Sequence, residues 1–328
     1  MAVPGTGQPY FSGETALQRI LARGEIESLD HTSILRLRQP VRSSVFADRA
    51  ARLRQLAQDN PLSDYLLLMA DLVDGQNQAL KHCDVPGPTA ERIDQAQTHG
   101  MPPLQAMGWR RDSSWRSILA SLLDHMLASE GVPPQAVQTV EALKSTLESD
   151  PNGIEAQADA ILAESEFGVD AATAPFIMAA LQVYWTCLAA DFKESDMPVV
   201  SPKGVCPLCG SLPVASVVRV GGQAEGNRYL CCSLCAAEWH LVRVTCSHCD
   251  DTKEISYHSI EDGPEGIKAE SCDHCHTYRK IFYQEKALGA DAVADDLASL
   301  MLDVLMGEAG YSRASGNPLL WQPVQSEP

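Results

Sequence analysis

Between Val45 and Ala57 apolar residues return every three or four positions, at Phe46, Ala50, Leu53 and Leu56-Ala57, and so line one face of a helix. Asn60-Pro61 ends it, because proline cannot continue a helix and restrains the residue before it. A second helix is predicted over Asp64 to Leu80, with Tyr65, Leu68-Met69, Leu72-Val73 and Leu80 inward. Pro86, Gly87, Pro88, Gly100, Pro102 and Pro103 predict a long irregular crossing over 84–104. Further helices follow at Trp115–Ser129, Pro134–Leu147, Ile154–Glu164 and Ala174–Phe192, with Asp150-Pro151-Asn152-Gly153 as a turn between two of them. Residues 15–195 thus read mostly as helix.

Near Met197 the pattern changes. Pro198 and Pro202 mark a linker, and from Val205 short β-prone runs appear: Val214–Val220, Arg228–Leu230, Trp239–Val244, Glu254–Ser259 and Tyr278–Tyr283. A closing helix is expected over Ala292 to Met306, with Leu297, Leu300-Met301 and Val304-Leu305 as its apolar stripe and Asp295, Asp296 and Asp303 facing away. The tail from Ser312 reads as extended. The fold class is therefore α plus small β. An all-α domain (1–197) precedes two tandem rubredoxin-like or zinc-ribbon modules (198–243 and 244–286). A C-terminal helix and tail (287–328) then pack back on the helical domain.

The runs between the strands carry the chemistry. Cys206, Cys209, Cys232 and Cys235 are repeated 40 positions later as Cys246, Cys249, Cys272 and Cys275, so each half reads C-x2-C-x22-C-x2-C. A Cys-x-x-Cys turn brings two thiolates within reach of one ion, and two facing turns complete a tetrahedral site. Glu225-Gly226 recurs as Glu265-Gly266 and Arg228 as Lys268 at the same offset. The repeat assigns the first four cysteines to one site and the second four to another; a cross-braced pairing is the alternative. Cys231 precedes Cys232 but has Ser271 as its counterpart, and reads as a spare thiol. Cys83 and Cys187 stand alone in helical context and read as buried packing residues. His240, His248, His258, His274 and His276 surround the ribbons, but the thiolate sets are complete without them.

Four thiolates suit zinc or a single iron of rubredoxin type, and spacing does not separate the two. Gly210 after Cys209 suits a rubredoxin knuckle, where a positive φ turns backbone N–H groups toward sulfur; Ala236, Asp250 and His276 follow the other three pairs and weaken that preference. A closed site leaves no position for substrate water, which disfavours hydrolytic metal catalysis.

Charge narrows the partners. The 328 residues carry a formal net charge of −18, and residues 200–286 hold nine Lys/Arg against eleven Asp/Glu, which disfavours phosphate neutralisation and so a nucleic-acid-binding zinc ribbon. Arg36, Arg38, Arg42, Arg49, Arg52 and Arg54 form the most basic stretch; Arg49, Arg52 and Arg54 read as a solvated helix face, or as a dock for an acidic surface. Residues 1–14 have no leader pattern, and the longest apolar run, Ala174 to Ala190, contains Gln182 and Thr186 and reads as a buried helix rather than a membrane span. Eleven cysteines without a leader point to a reducing, cytoplasmic setting. Neither a nucleophile triad, nor a phosphate loop, nor a small-molecule site is evident, so no catalytic residue is assigned. A thiol–disulfide or metal-dependent oxidoreductase using the Cys-x-x-Cys pairs is the alternative class.

Several stretches together resemble the formate dehydrogenase accessory protein family, FdhE. They are Cys206-Pro207-Leu208-Cys209-Gly210-Ser211-Leu212-Pro213, Arg228-Tyr229-Leu230-Cys231-Cys232-Ser233-Leu234-Cys235, Glu238-Trp239-His240, Arg243, Cys246, Cys249, Glu270-Ser271-Cys272-Asp273-His274-Cys275 and Tyr278-Arg279-Lys280. Ala294-Asp295-Asp296-Leu297-Ala298-Ser299-Leu300, Gly310-Tyr311 and Asn317-Pro318 fit as well, as do Arg49-Ala50-Ala51-Arg52-Leu53 and Pro61-Leu62-Ser63-Asp64-Tyr65-Leu66. Cys231 departs from the family pattern without touching the eight ligands. The resemblance implies a non-catalytic cytoplasmic factor needed for active respiratory formate dehydrogenase. Its partner would be the immature catalytic subunit, with neither nucleic acid nor membrane insertion involved. It also tilts the two metal ions toward rubredoxin-type iron, with zinc as the alternative.

Overall fold

The computed structural model describes residues 34–165 and 167–321. Expectations for residues 1–33, including the missing leader pattern, lie outside them. Helix α1 (Val45–Leu56) buries Phe46, Ala50 and Leu53, and α2 (Ser63–Lys81) packs on it through Leu66, Met69, Leu72 and Val73. The partner of α2 is α7 (Ala174–Ala190), which is buried almost all round. Its interior amide Gln182 is hydrogen-bonded rather than exposed: Gln76 of α2 donates to the Ala179 carbonyl and to Gln182 Oε1, both at 2.9 Å. Gln182 in turn donates to the Ser233 carbonyl at 2.7 Å, so a helix-core amide reaches a cysteine ribbon.

The crossing over 84–104 contains a helix, α3 (Ala90–His99), capped by Thr89 and closed by Gly100 in the left-handed region. Periodicity misses it because Ala96 is its single buried residue. Helices α4 (Ser114–Ala128), α5 (Pro134–Ser149) and α6 (Pro151–Leu162) complete the layer. The Asp150–Gly153 segment is the first turn of α6: Asp150 Oδ1 accepts the Gly153 N–H at 2.9 Å, and Pro151 takes the first helical position, where no N–H is needed.

The cysteine region forms one continuous sheet. Strands β2 (Pro213–Val218), β3 (Arg228–Cys232) and β4 (Glu238–His240) build the first ribbon; β5 (Ile255–His258), β6 (Ile267–Cys272) and β7 (Thr277–Tyr283) build the second. With β1 (Leu37–Arg38) at one edge, the order is β1-β4-β3-β2-β7-β6-β5, and β8 (Ser312–Arg313) pairs parallel with β7. Pairing is antiparallel within each ribbon. The seam is a parallel pairing of β2 with β7 that sets Ser216 opposite Ile281 and Val217 opposite Phe282. Across it, Arg228 and Glu270 form an ion pair of 2.7 Å with both side chains buried. The strand β6 was not expected from sequence, because Lys268, Glu270 and Ser271 interrupt any apolar alternation.

The closing helix differs from expectation. It breaks at Ser299 (φ −115°, ψ 36°) into α8 (Ala292–Ala298) and α9 (Leu300–Glu308). The Lys280 ammonium explains the break: it donates to the Asp296 and Ser299 carbonyls at 2.8 and 3.0 Å, taking α8's terminal acceptors. Asp295 and Asp296 face inward, at 1% and 0% exposure, while Met301, Val304 and Leu305 face out. Leu297 is buried as expected, but most of the rest of the stripe turns outward because the inner face also carries an ion-pair network. Arg52 meets Asp295 at 2.5 Å, Arg49 meets Asp291 at 3.1 Å, and Asp296 receives Lys280, Arg313 and Asn317. Arg49 and Arg52 therefore lie against this chain's own carboxylates rather than on a solvated face. Arg38, Arg42 and Arg54 are likewise paired, with Glu238, Asp191 and Asp71/Asp74.

Candidate metal centres

Each Cys-x-x-Cys turn is held by the backbone before any ion is considered. In the first knuckle the Gly210 N–H donates to the Cys206 carbonyl and the Cys206 N–H to the Ser211 carbonyl, both at 2.9 Å. The third repeats this with Asp250 to Cys246 at 3.1 Å and Cys246 to Asp251 at 2.7 Å. The residue after every second cysteine has a positive φ: Gly210 at 77°, Ala236 at 57°, Asp250 at 60° and His276 at 53°. The left-handed knuckle is thus common to all four turns, and the non-glycine residues accept strain of about 1–2 kcal/mol to adopt it. Sequence reasoning discounted three of them for lacking glycine.

The knuckles bring the sulfurs together in the order read from the repeat. Cys206, Cys209, Cys232 and Cys235 form one group and Cys246, Cys249, Cys272 and Cys275 another, each with all four sulfurs within 4.8 Å of one another. Sulfur separations are 3.6 Å (Cys206–Cys235) and 3.3 Å (Cys209–Cys232) in the first, and 3.7 Å (Cys246–Cys275 and Cys249–Cys272) in the second. A metal–sulfur bond of about 2.3 Å in a tetrahedron requires sulfurs about 3.8 Å apart. Backbone N–H groups already point at sulfur: Leu234 and Cys235 at Cys232 (both 3.4 Å), His248 and Cys249 at Cys246 (3.4 and 3.5 Å).

Electrostatics agrees with this fit. Burial pushes the Cys232 and Cys235 thiols well up. Burial opposes ionisation of Cys209 too, yet hydrogen bonds from Cys206, Cys232, Cys235 and Ser211 hold it well below the ordinary thiol value. A bound cation would offset the cost that burial puts on ionising Cys232 and Cys235. Each group could therefore hold a metal ion, and each set is complete with four protein ligands.

The two groups are not equivalent in exposure. Cys206, Cys209, Cys232 and Cys235 are 0–2% exposed. The helical layer covers them: the Leu104 and Ala106 N–H groups donate to the Leu208 and Cys209 carbonyls at 2.8 and 2.9 Å. In the second group Cys249 and Cys275 are half-buried, and His248, His274 and His276 around them are exposed. His240 and His258 are half-buried, and neither group contains a histidine. Cys231 is buried on β3 outside the first group, where burial, reinforced by Glu238, pushes its thiol well up. Among the described residues no helix is long and apolar enough to cross a membrane.

Three family models match the chain in succession: FdhE N-terminal over residues 34–201, FdhE central domain over 205–243 and FdhE C-terminal domain over 244–320. A protein FdhE homolog of Edwardsiella ictaluri is 41% identical over 278 residues, covering 84% of this chain and 88% of that protein. Protein FdhE of Salmonella paratyphi B is 40% identical over 283 residues, covering 86% and 90%. The crystal structure of the FdhE protein from Pseudomonas aeruginosa superposes with a TM-score of 0.75 at 39% identity, covering 87% of this chain and 99% of that one.

Proposed function

The chain belongs to the FdhE family, and on that premise we propose that it is a cytoplasmic accessory factor for the formation of active formate dehydrogenase. It binds the immature catalytic subunit and is not itself an enzyme. Its working parts follow the boundaries at 197, 243 and 286: a helical body, a covered ribbon, an open ribbon, and a closing segment that ties them together.

The observation that carries this reading is the pair of closed four-thiol groups at tetrahedral spacing, one sealed under the helices and one open to a partner. Cys206, Cys209, Cys232 and Cys235 hold one ion and Cys246, Cys249, Cys272 and Cys275 the other. A four-thiolate iron passes single electrons between ferrous and ferric states, whereas zinc supplies structure alone. Iron of rubredoxin type is the ion we assign, and four left-handed knuckles, two of them with N–H groups directed at sulfur, favour it. The covered ribbon fixes the geometry of the sheet. The open ribbon, with Cys249 and Cys275 half-exposed, is the one a partner can reach.

The test is formate dehydrogenase activity in cells lacking this chain. Activity returns with the intact chain and stays low with Cys246→Ser/Cys249→Ser; activity undiminished by loss of the chain would overturn the assignment. Anaerobic purification with metal analysis and visible absorption tests the ion, and a colourless protein with two zincs would reject iron.

A further inference from the structure

Two buried arginines cross the seam between the ribbons, one from each side. Arg228, on β3 of the first ribbon, donates to the carbonyl of Thr245, which directly precedes Cys246, at 3.0 Å. It also pairs at 2.7 Å with Glu270, on the strand that ends in Cys272. Arg279, on β7 of the second ribbon, reaches the opposite way. Its guanidinium donates to the Pro213 carbonyl of the first ribbon and, at 2.8 Å, to the hydroxyl of Ser247 inside the third knuckle. Pro213 follows Leu212, whose carbonyl takes both the N–H and the hydroxyl of Ser233, inside the second knuckle, at 3.2 and 2.8 Å.

The knuckles are in close contact as well as hydrogen-bonded. Gly204, in the linker that leads into Cys206, lies so near the third knuckle that a Cβ on it would stand 2.2 Å from the Ser247 carbonyl oxygen. Ser247 is thus met by Gly204 on its carbonyl and by Arg279 on its hydroxyl. Arg228, Arg279 and Ser247 are 1%, 4% and 6% exposed. Water cannot replace a lost bond there, so moving one partner away leaves a buried group unpaired. A guanidinium is also a flat, rigid fork, which fixes its acceptors relative to one another. The third knuckle therefore takes its position from the first ribbon.

On the reading that each four-thiol group holds an ion, we propose that Arg228 and Arg279 are positioning residues that couple the two groups. Filling the covered group strengthens ion binding in the open one, and the reverse holds by the same factor. Closure of the covered group around its ion fixes Ser233, Leu212 and Pro213. Arg279 then holds Ser247 where Cys246 and Cys249 meet Cys272 and Cys275, and the open group binds with less ordering left to do. With the covered group empty, the first ribbon loosens, Arg279 loses a fixed acceptor and the third knuckle is freer. Arg228 carries the same connection in reverse. Closure of the open group fixes Thr245 and Glu270, and through them β3, which ends in Cys232.

The experiment titrates zinc into the full-length, reduced chain against a chromophoric chelator. Cys246→Ser/Cys249→Ser gives the affinity of the covered group alone, and Cys206→Ser/Cys209→Ser that of the open group alone. Wild type should bind two ions with a product of affinities at least about fivefold above the product of those two values. The same measurements are repeated with Arg279→Lys, which keeps the charge but loses the fork. It strands no carboxylate, because the partners of Arg279 are hydroxyls and a carbonyl. Two ions should still bind, with the excess gone. An arginine that only supports the fold would lower the single-group affinities and leave the excess standing. Two ions bound without excess in wild type would overturn the coupling alone, and an excess unchanged in Arg279→Lys would overturn the role of Arg279. A wild-type chain that binds no ion would overturn the reading beneath both. Where a double cysteine variant fails to fold, Cys209→Ser or Cys249→Ser takes its place.

Discussion

Replacing Arg52 with methionine tests whether the basic stretch serves the chain itself or a partner. Arg52 sits on α1 with its side chain 14% exposed, and it meets the 1%-exposed carboxylate of Asp295 on α8 at 2.5 Å. The contact raises the Arg52 pKa, through its hydrogen bond to Asp295, against burial. Removing one member of a buried pair strands the other charge, at about 3–5 kcal/mol. Asp295 keeps one bond, from the Asp291 N–H at 2.8 Å, so the lower end, about 3 kcal/mol, is the expected cost. For a chain of 328 residues, with an unfolding entropy of about 0.7 kcal/mol/K, that is a fall of about 4 °C in Tm, measured by thermal unfolding at fixed metal content. Asp295→Asn, which retains the acceptor for Asp291, should show a coupling with Arg52→Met of about 2 kcal/mol in a double-mutant cycle. A cost below about 1 kcal/mol, the range of an exposed pair, would refute the view that Arg52 ties α8 to α1. Unchanged stability with lost co-purification of a partner would return Arg52 to the role of a docking residue.

Chelator competition should release metal in two phases, with the faster phase belonging to the half-exposed Cys246/Cys249/Cys272/Cys275 group; Cys246→Ser/Cys249→Ser should remove that phase, and a single phase would contradict the difference in cover. Cys206→Ser/Cys209→Ser should lose about one metal equivalent, and retention of two would sink the pairing within ribbons. Ala236→Gly relieves a left-handed alanine at φ 57° and, after the entropy glycine adds to the unfolded chain, should stabilise by about 0.5–1 kcal/mol in the same thermal assay; destabilisation would show that its methyl packs usefully. Asp296 is held below the usual carboxylate range by Lys280 and Arg313 in spite of burial. Its contribution is therefore complete above the unfolded value of about 3.9 and is lost as pH falls through the lower folded value. Asp296→Asn should flatten the decline of Tm in that acid window relative to wild type, and parallel curves would refute the linkage.

The two four-thiol groups were legible in sequence because their geometry is local: a Cys-x-x-Cys turn needs only four residues, and the 40-residue repeat supplies the grouping. Helices α1 and α2 were legible for the same reason, since three-to-four spacing is a local signal, and α7 because its unbroken apolar run is one too. What escaped depends on residues far apart in the chain. Asp295 and Asp296 read as solvent-facing until Arg52, Lys280 and Arg313 are brought to them. Gln182 read as a blemish in an apolar run, but it joins Gln76 to the first ribbon. The strand β6 hides behind Glu270, whose partner Arg228 stands on the other ribbon, and the Cys187 thiol donates to the carbonyl of Cys83, 104 residues away. Short-range patterns find elements; charges and polar groups that meet across them need the fold.

The most direct measurement is co-purification of the formate dehydrogenase catalytic subunit with this chain from a host that makes both, under anaerobic conditions. The intact, metal-loaded chain should retain the subunit, and Cys246→Ser/Cys249→Ser, which opens the exposed ribbon, should lose it. Failure of the intact chain to retain the subunit, or equal retention by that variant, would contradict the account.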